Sequence, residues 1–396
     1  MTHRTKTAAG RRWSRGLAAT AIGALALAAP AEAEITGAGV RAGHNISVFS
    51  TIDFIGAFGY TVGTPMTVAV VRNGHTIASV TANSNDSPDG GALEVNHGPL
   101  GAPAPGDCWE GFTPDIRPGD IIRVTADGGT DEVKVDNIRI DQGPVLQANG
   151  EITMKGIAER ADGTPIPLAD LSSGEVRNTS RFRAMPDQVV GTPGVANGWT
   201  AVFRAPFVIE RNRNAADPAT AILGADVLLF GFGHVVPLPA DTQMADGVGD
   251  TPGPALGCEG SPAAPNGGVG ATSVSALNID ALGGKAAGDV ALELSGLAAQ
   301  NASAGTVTLS DGTTAVTAPA EGVSGGGGDQ QGWTARFTRA QVDTLADGPL
   351  TATPAFNAAG GDVTGITRTV TKDLVAPTLT ADMAPGTYTG TQKVGL

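Results

Sequence analysis

Short apolar runs alternate along the chain with turns built from glycine, proline, asparagine and aspartate, a pattern that reads as β-strands. The runs at 66–71 and 76–80 flank Asn73-Gly74, whose residues both accept positive φ and so close a two-residue hairpin. Pro118-Gly119-Asp120 launches a run at 121–125, and Asp127-Gly128 turns it back into 132–140, where Val133, Val135 and Ile138 carry the apolar pattern. With residues 45–49 these make a first β-sandwich module over 34–141, in which no 3.6-residue periodicity lasts beyond two turns.

Gln142-Gly143-Pro144 marks a boundary, and a second β module follows over 142–256, with strands expected at 151–158, 176–183, 199–207 and 227–232. Residues 257–270, holding Pro262, Pro265 and several glycines, read as a linker. A third module covers 271–374, with strands at 290–294, 306–309, 314–318, 333–337 and 350–354. One helical turn is expected at 341–346. The phrase Gly-Trp-Thr-Ala-x-Phe opens at Gly198 and again at Gly332, 134 residues later. In an extended chain its tryptophan, alanine and phenylalanine share one face, which predicts a core strand in each of two modules. The fold class expected is all-β, with tandem Ig-like β-sandwich modules.

Composition agrees with that outline. Glycine (57) and proline (26) fill about a fifth of 396 residues while aromatics reach only 4%. Residues 1–33 combine a basic head (Arg4, Lys6, Arg11, Arg12, Arg15), a 14-residue apolar stretch and Ala31-Glu32-Ala33, the layout of a secretory signal peptide. Without them the chain holds 20 basic and 38 acidic residues. That balance repels nucleic acid and anionic membranes. The most apolar later stretch, 221–239, is broken by Asp226 and His234, so membrane insertion is not expected. In an exported chain the two cysteines, Cys108 and Cys258, are expected to pair, closing a loop worth roughly 4–5 kcal/mol in the chain-entropy model; separate thiols are the alternative.

Candidate chemistry is sparse. Gly322-Val323-Ser324-Gly325-Gly326 fits G-x-S-x-G, but a strand is expected after it where a nucleophile elbow needs a helix. Residues 37–42 mimic a dinucleotide fingerprint without a strand before them. His44, His75, His97 and His234 lack metal-ligand spacing. Trp109, with Glu110 and Asp115 nearby, is the best candidate ligand site: an indole on which a sugar ring stacks, flanked by two carboxylates. Asp241, Asp246 and Asp250 form an acidic cluster read as a loop.

Three resemblances rest on particular phrases. Residues 307–312, Gly332-Trp333-Thr334, 345–351 and 372–377 together resemble the bacterial Ig-like repeats of large secreted and surface proteins. That resemblance implies calcium at a module junction, with Asp347 and Asp373 as ligands; no cofactor is otherwise required. Residues 375–396 resemble the start of a chitobiase-type C-terminal Ig-like module that breaks off, and the phrases at 53–60, 94–97 and 108–120 look like those of secreted actinobacterial proteins. The expected protein is secreted or attached to the cell envelope and is not an enzyme. It serves adhesion, binding or spacing, with an extracellular protein or polysaccharide as partner. A carbohydrate-binding protein is the alternative, and a glycosidase or esterase using Glu110, Asp115 or His97 the third reading.

Overall fold

At Asn73-Gly74 φ is 53° and 84°, and strands Pro65–Arg72 and His75–Asn83 pair antiparallel across the turn. Ile121–Ala126 and Gly129–Lys134 complete a four-stranded sheet with them. The computed structural model describes residues 39–98, 103–171, 173–177, 183–207, 217–233, 240–273, 290–326 and 328–373. The expected signal peptide and residues 375–396 lie outside the described residues.

Among the described residues three hydrophobic cores result, each between two sheets, and the fold is all-β. In the first, Met66, Val68, Val70 and Ile77 of the four-stranded sheet meet Ile46, Ile55 and Leu93 of an eight-stranded sheet. That larger sheet runs in the order Arg183–Ala184, Ser173–Arg177, Val227–Phe232, Asp241–Asp246, Asn45–Phe49, Phe54–Tyr60, Gly90–Val95 and Asn85–Ser87. Its two halves meet where Asn45–Phe49 pairs parallel with Asp241–Asp246, so one sheet crosses residue 142. The far half closes the second core over Gln188–Gly191, Gly198–Phe203, Ile152–Glu159 and Asn137–Leu146. In the third core, Gly268–Ser273, Val290–Leu297 and Gly332–Thr338 face the sheet built on Ala302–Ser310 and Gly348–Ala358. The described residues belong to one compact unit by contact. No helix among the described residues is long and apolar enough to cross a membrane.

Both copies of the repeated phrase are buried strands. Trp199 and Trp333 are fully covered, as are Phe203 and Phe337. Each tryptophan faces a glycine on the neighbouring strand: Gly156 opposite Trp199 and Gly296 opposite Trp333. A Cβ on Gly156 would fall 2.6 Å from the Trp199 ring, and one on Gly296 2.9 Å from the Trp333 ring. The missing side chain makes room for the indole.

Three expectations need correcting. The run 132–140 is two strands in different sheets, Gly129–Lys134 and Asn137–Leu146. Buried Asp136 breaks it, because its carboxylate takes a hydrogen bond from Ala161 N at 3.0 Å and pairs with Arg160 at 2.8 Å. The acidic "loop" at 241–246 is a central strand with Thr242, Gln243, Met244 and Ala245 buried. The third-module helix is Arg339–Asp343, starting two residues early because Thr338 and Gln341 cap it reciprocally. A six-residue helix, Pro218–Leu223, capped by Asp217, was too short to leave a periodic trace.

Candidate functional site

The segment 107–120 meets residues 250–265 and the third sandwich at one joint. Cys108 and Cys258 are bonded there, with Cα atoms 5.5 Å apart. Two polar residues on left-handed backbone, Asp53 (φ 54°) and Asn96 (φ 63°), hold the chain beside the disulfide. The Asp53 carboxylate accepts from Ile116 N and Gly253 N, each at 2.7 Å. Burial raises its pKa well above the usual carboxylate range, against those two amide bonds. Asn96 Nδ2 donates to Ile52 O and Gly253 O, each at 3.0 Å, and its Oδ1 accepts from Ala255 N at 2.6 Å. Linker residues Cys258, Ser261 and Ala264 are buried as a result.

Trp109 is not a stacking platform. It is 2% exposed within the first core, and its indole N–H donates to Asp53 O at 3.3 Å. Neither ring face reaches solvent, which removes the surface a sugar would need. Glu110 pairs with Arg368 of the third sandwich, whose guanidinium also donates to Gly270 O at 3.0 Å. Asp115 pairs with Arg117 at 2.6 Å, and next to it Arg72 forks onto both oxygens of Asp120 at 2.7 Å. The two carboxylates beside Trp109 are therefore engaged with arginines. A further cross-joint bond links His75 Nδ1 to Thr334 Oγ1 at 2.8 Å.

The joint is tight at the backbone level. A Cβ on Gly270 would fall 1.8 Å from Ile77 O, and one on Gly332 would fall 2.6 Å from Arg72 O. These glycines let strands of the third sandwich press on the hairpin of the first.

Asp347 and Asp373 bracket the paired strand ends Gly348 and Lys372. The Lys372 ammonium is 3.5 Å from Asp347 and donates to Leu345 O, so an amine already faces the carboxylate offered for calcium. Among the described residues no group of three or more histidine, cysteine, aspartate or glutamate side chains is arranged to hold a metal ion. His97 is half-exposed, 3.9 Å from Glu94 and beside the Phe54 ring. Ser324 belongs to a loop that leads into strand Gly332–Thr338, without the helix an elbow requires.

Asp241 is the most perturbed member of the acidic trio. Burial pushes its pKa up to about 7, assisted by Asp136 and opposed by Gln243 and Arg160. Asp246 and Asp250 are raised for the same first reason. Reading the sequence missed Asp53, Asn96, Arg72 and Asp120. A lone polar residue in an apolar stretch leaves no periodic signal, and the partners that tie these residues across the joint are 43 to 200 positions away.

No family model matches the sequence, and no curated protein matches it. Solved structures similar to this chain include part of a 1.5-MDa bacterial ice-binding adhesin, at 14% identity over 84% of this chain and 97% of that one, with a TM-score of 0.17. A tetra-tandem repeat from the extending region of a large adhesion protein is 13% identical over 83% of this chain and 74% of its own, TM-score 0.18. A Ca2+-stabilized adhesin of an Antarctic bacterium, which binds ice, is 11% identical over 80% of this chain and 68% of its own, TM-score 0.18.

Proposed function

We propose that the chain acts outside the cell as a non-enzymatic binding or spacer element of the adhesive kind, with an extracellular protein or polysaccharide as its partner class. One observation carries this reading: the residues with the most chemical promise join one part of the molecule to another. Trp109 and Asp53 tie the core to residue 253, Glu110 reaches Arg368, and Cys108 reaches Cys258. A glycosidase needs a carboxyl held as a proton donor across an open cleft. Glu110 instead points at Arg368 across the joint, so it does not stand free beside an open cleft. The test is a turnover screen of the purified exported chain on glycosidic and ester substrates, run beside Glu110→Gln. We expect no turnover from either protein, and activity lost on that substitution would overturn the reading. Calcium enters the proposal only as a ligand of Asp347 and Asp373, in place of Lys372. Melting in calcium and in chelator reads it, since an ion bound only by the folded state raises the midpoint.

A further inference from the structure

Asp53 is fully buried, and its two carboxylate oxygens serve two different segments. One accepts from Ile116 N and the other from Gly253 N, each at 2.7 Å. Among the described residues no basic side chain pairs with it. The charges that reach it are those of Asp115, on the 107–120 segment, and Asp250, on the 250–265 segment, both carboxylates. Arg117 is held by Asp115, and His97 lies against Phe54 and Glu94. The charged form of Asp53 therefore rests on two amide N–H groups and is opposed by burial and by like charge.

The two tethers differ. Ile116 is fixed in the first core. Gly253 stands between Pro252 and Pro254, which have no N–H, so its amide is the only main-chain donor of the three. A cavity of about 230 Å³, lined by Asp115, Pro252 and Gly253 among others, gives water access to this stretch. The ties on either side, Thr251 N to Thr51 O at 2.9 Å and Ala255 N to Asn96 at 2.6 Å, do not involve the Asp53 carboxylate. A neutral carboxyl keeps one good acceptor oxygen and gains a hydroxyl proton that needs an acceptor of its own. Two N–H groups aimed at it are then no longer served equally, and the one that can turn to water is that of Gly253. We propose that Asp53 is a proton-operated clamp: ionised, it grips residues 252–254, and on proton uptake it releases the Gly253 N–H to solvent. Burial raises its pKa, so the folded chain takes up this proton before the unfolded chain does. Release is therefore a local change within the fold and not the start of acid unfolding. The clamp is a property of the joint and holds whether or not the chain is an adhesive element.

The test follows the Gly253 and Ile116 amides of the whole disulfide-bonded chain by 15N NMR and hydrogen exchange at stepped pH. As pH falls, the Gly253 amide should shift and lose about tenfold in protection, while Ile116 keeps its own. The midpoint should lie above the ordinary aspartate value of about 3.9. Asp53→Asn, which puts a donor in place of one oxygen, should hold Gly253 released at every pH. Asp250 is the rival origin of such a transition, being on the same segment and itself raised by burial. In Asp250→Asn the Gly253 transition should persist with its midpoint lowered, because a like charge has gone. A Gly253 amide that does not titrate, one that still titrates in Asp53→Asn, or a transition lost in Asp250→Asn would each overturn the proposal. If Asp53→Asn does not fold, the unsubstituted chain and Asp250→Asn decide the matter.

Discussion

Single atoms decide much of this molecule. The second and third sandwiches use one device twice, an indole laid over the missing side chain of a cross-strand glycine. Gly156→Ala would also bring a Cβ to 1.9 Å from Arg139 O, and Gly296→Ala one to 2.0 Å from Gly268 O. Each substitution should cost about 1–3 kcal/mol as overpacking, with urea midpoints as the measure. A cost in one and none in the other would show that the device is not shared. Asp241 supplies a pH dependence whose sign is fixed. Its pKa rises from 3.8 unfolded to about 7 folded, so the native state holds this proton more tightly than the unfolded chain. Its contribution is complete below pH 4 and is lost as pH climbs through 7. Asp241→Asn should flatten that part of the stability profile in melts at stepped pH, and an unchanged slope would assign it elsewhere.

Strands with one partner signal were legible, while those defined by distant partners were not. Asn73-Gly74 and the two Gly-Trp-Thr-Ala-x-Phe phrases carry their conformation in adjacent residues, and both appear where the pattern puts them. Strand Asp241–Asp246 begins and ends in aspartate, which reads as a turn until its pairing with Asn45–Phe49, about 195 residues upstream, is known. The break at Asp136 has the same origin, since Arg160 supplies the reason for it. Trp109 was legible as important but not as buried, because its orientation depends on Asp53. The glycines opposite the tryptophans left only a short trace: Gly156-Ile157-Ala158 and Gly296-Leu297-Ala298 share their first and third residues. Helix Arg339–Asp343 tests the local side of this argument. Thr338→Ala removes its reciprocal cap and should lower stability by about 1 kcal/mol in denaturant titration. An unchanged midpoint would mean that packing of Val342 alone holds the turn.

At the scale of the whole molecule, the cores are joined by several kinds of contact. One sheet spans the first two, an ion pair and a histidine hydrogen bond reach the third, and Leu297 and Ile366 of the third pack into the first core. The Cys108–Cys258 bond encloses the whole second sandwich within a separation of 150 residues. Under tension this arrangement acts as a length limiter. A force applied at the two ends passes through the disulfide and bypasses everything between, so about 500 Å of contour stays hidden, at ~3.3–3.6 Å per residue. Pulling single molecules should therefore give a shorter final extension without reductant than with it, by about that amount. Equal extensions in both conditions would mean the bond is not formed. A chain built this way can soften and still refuse to lengthen.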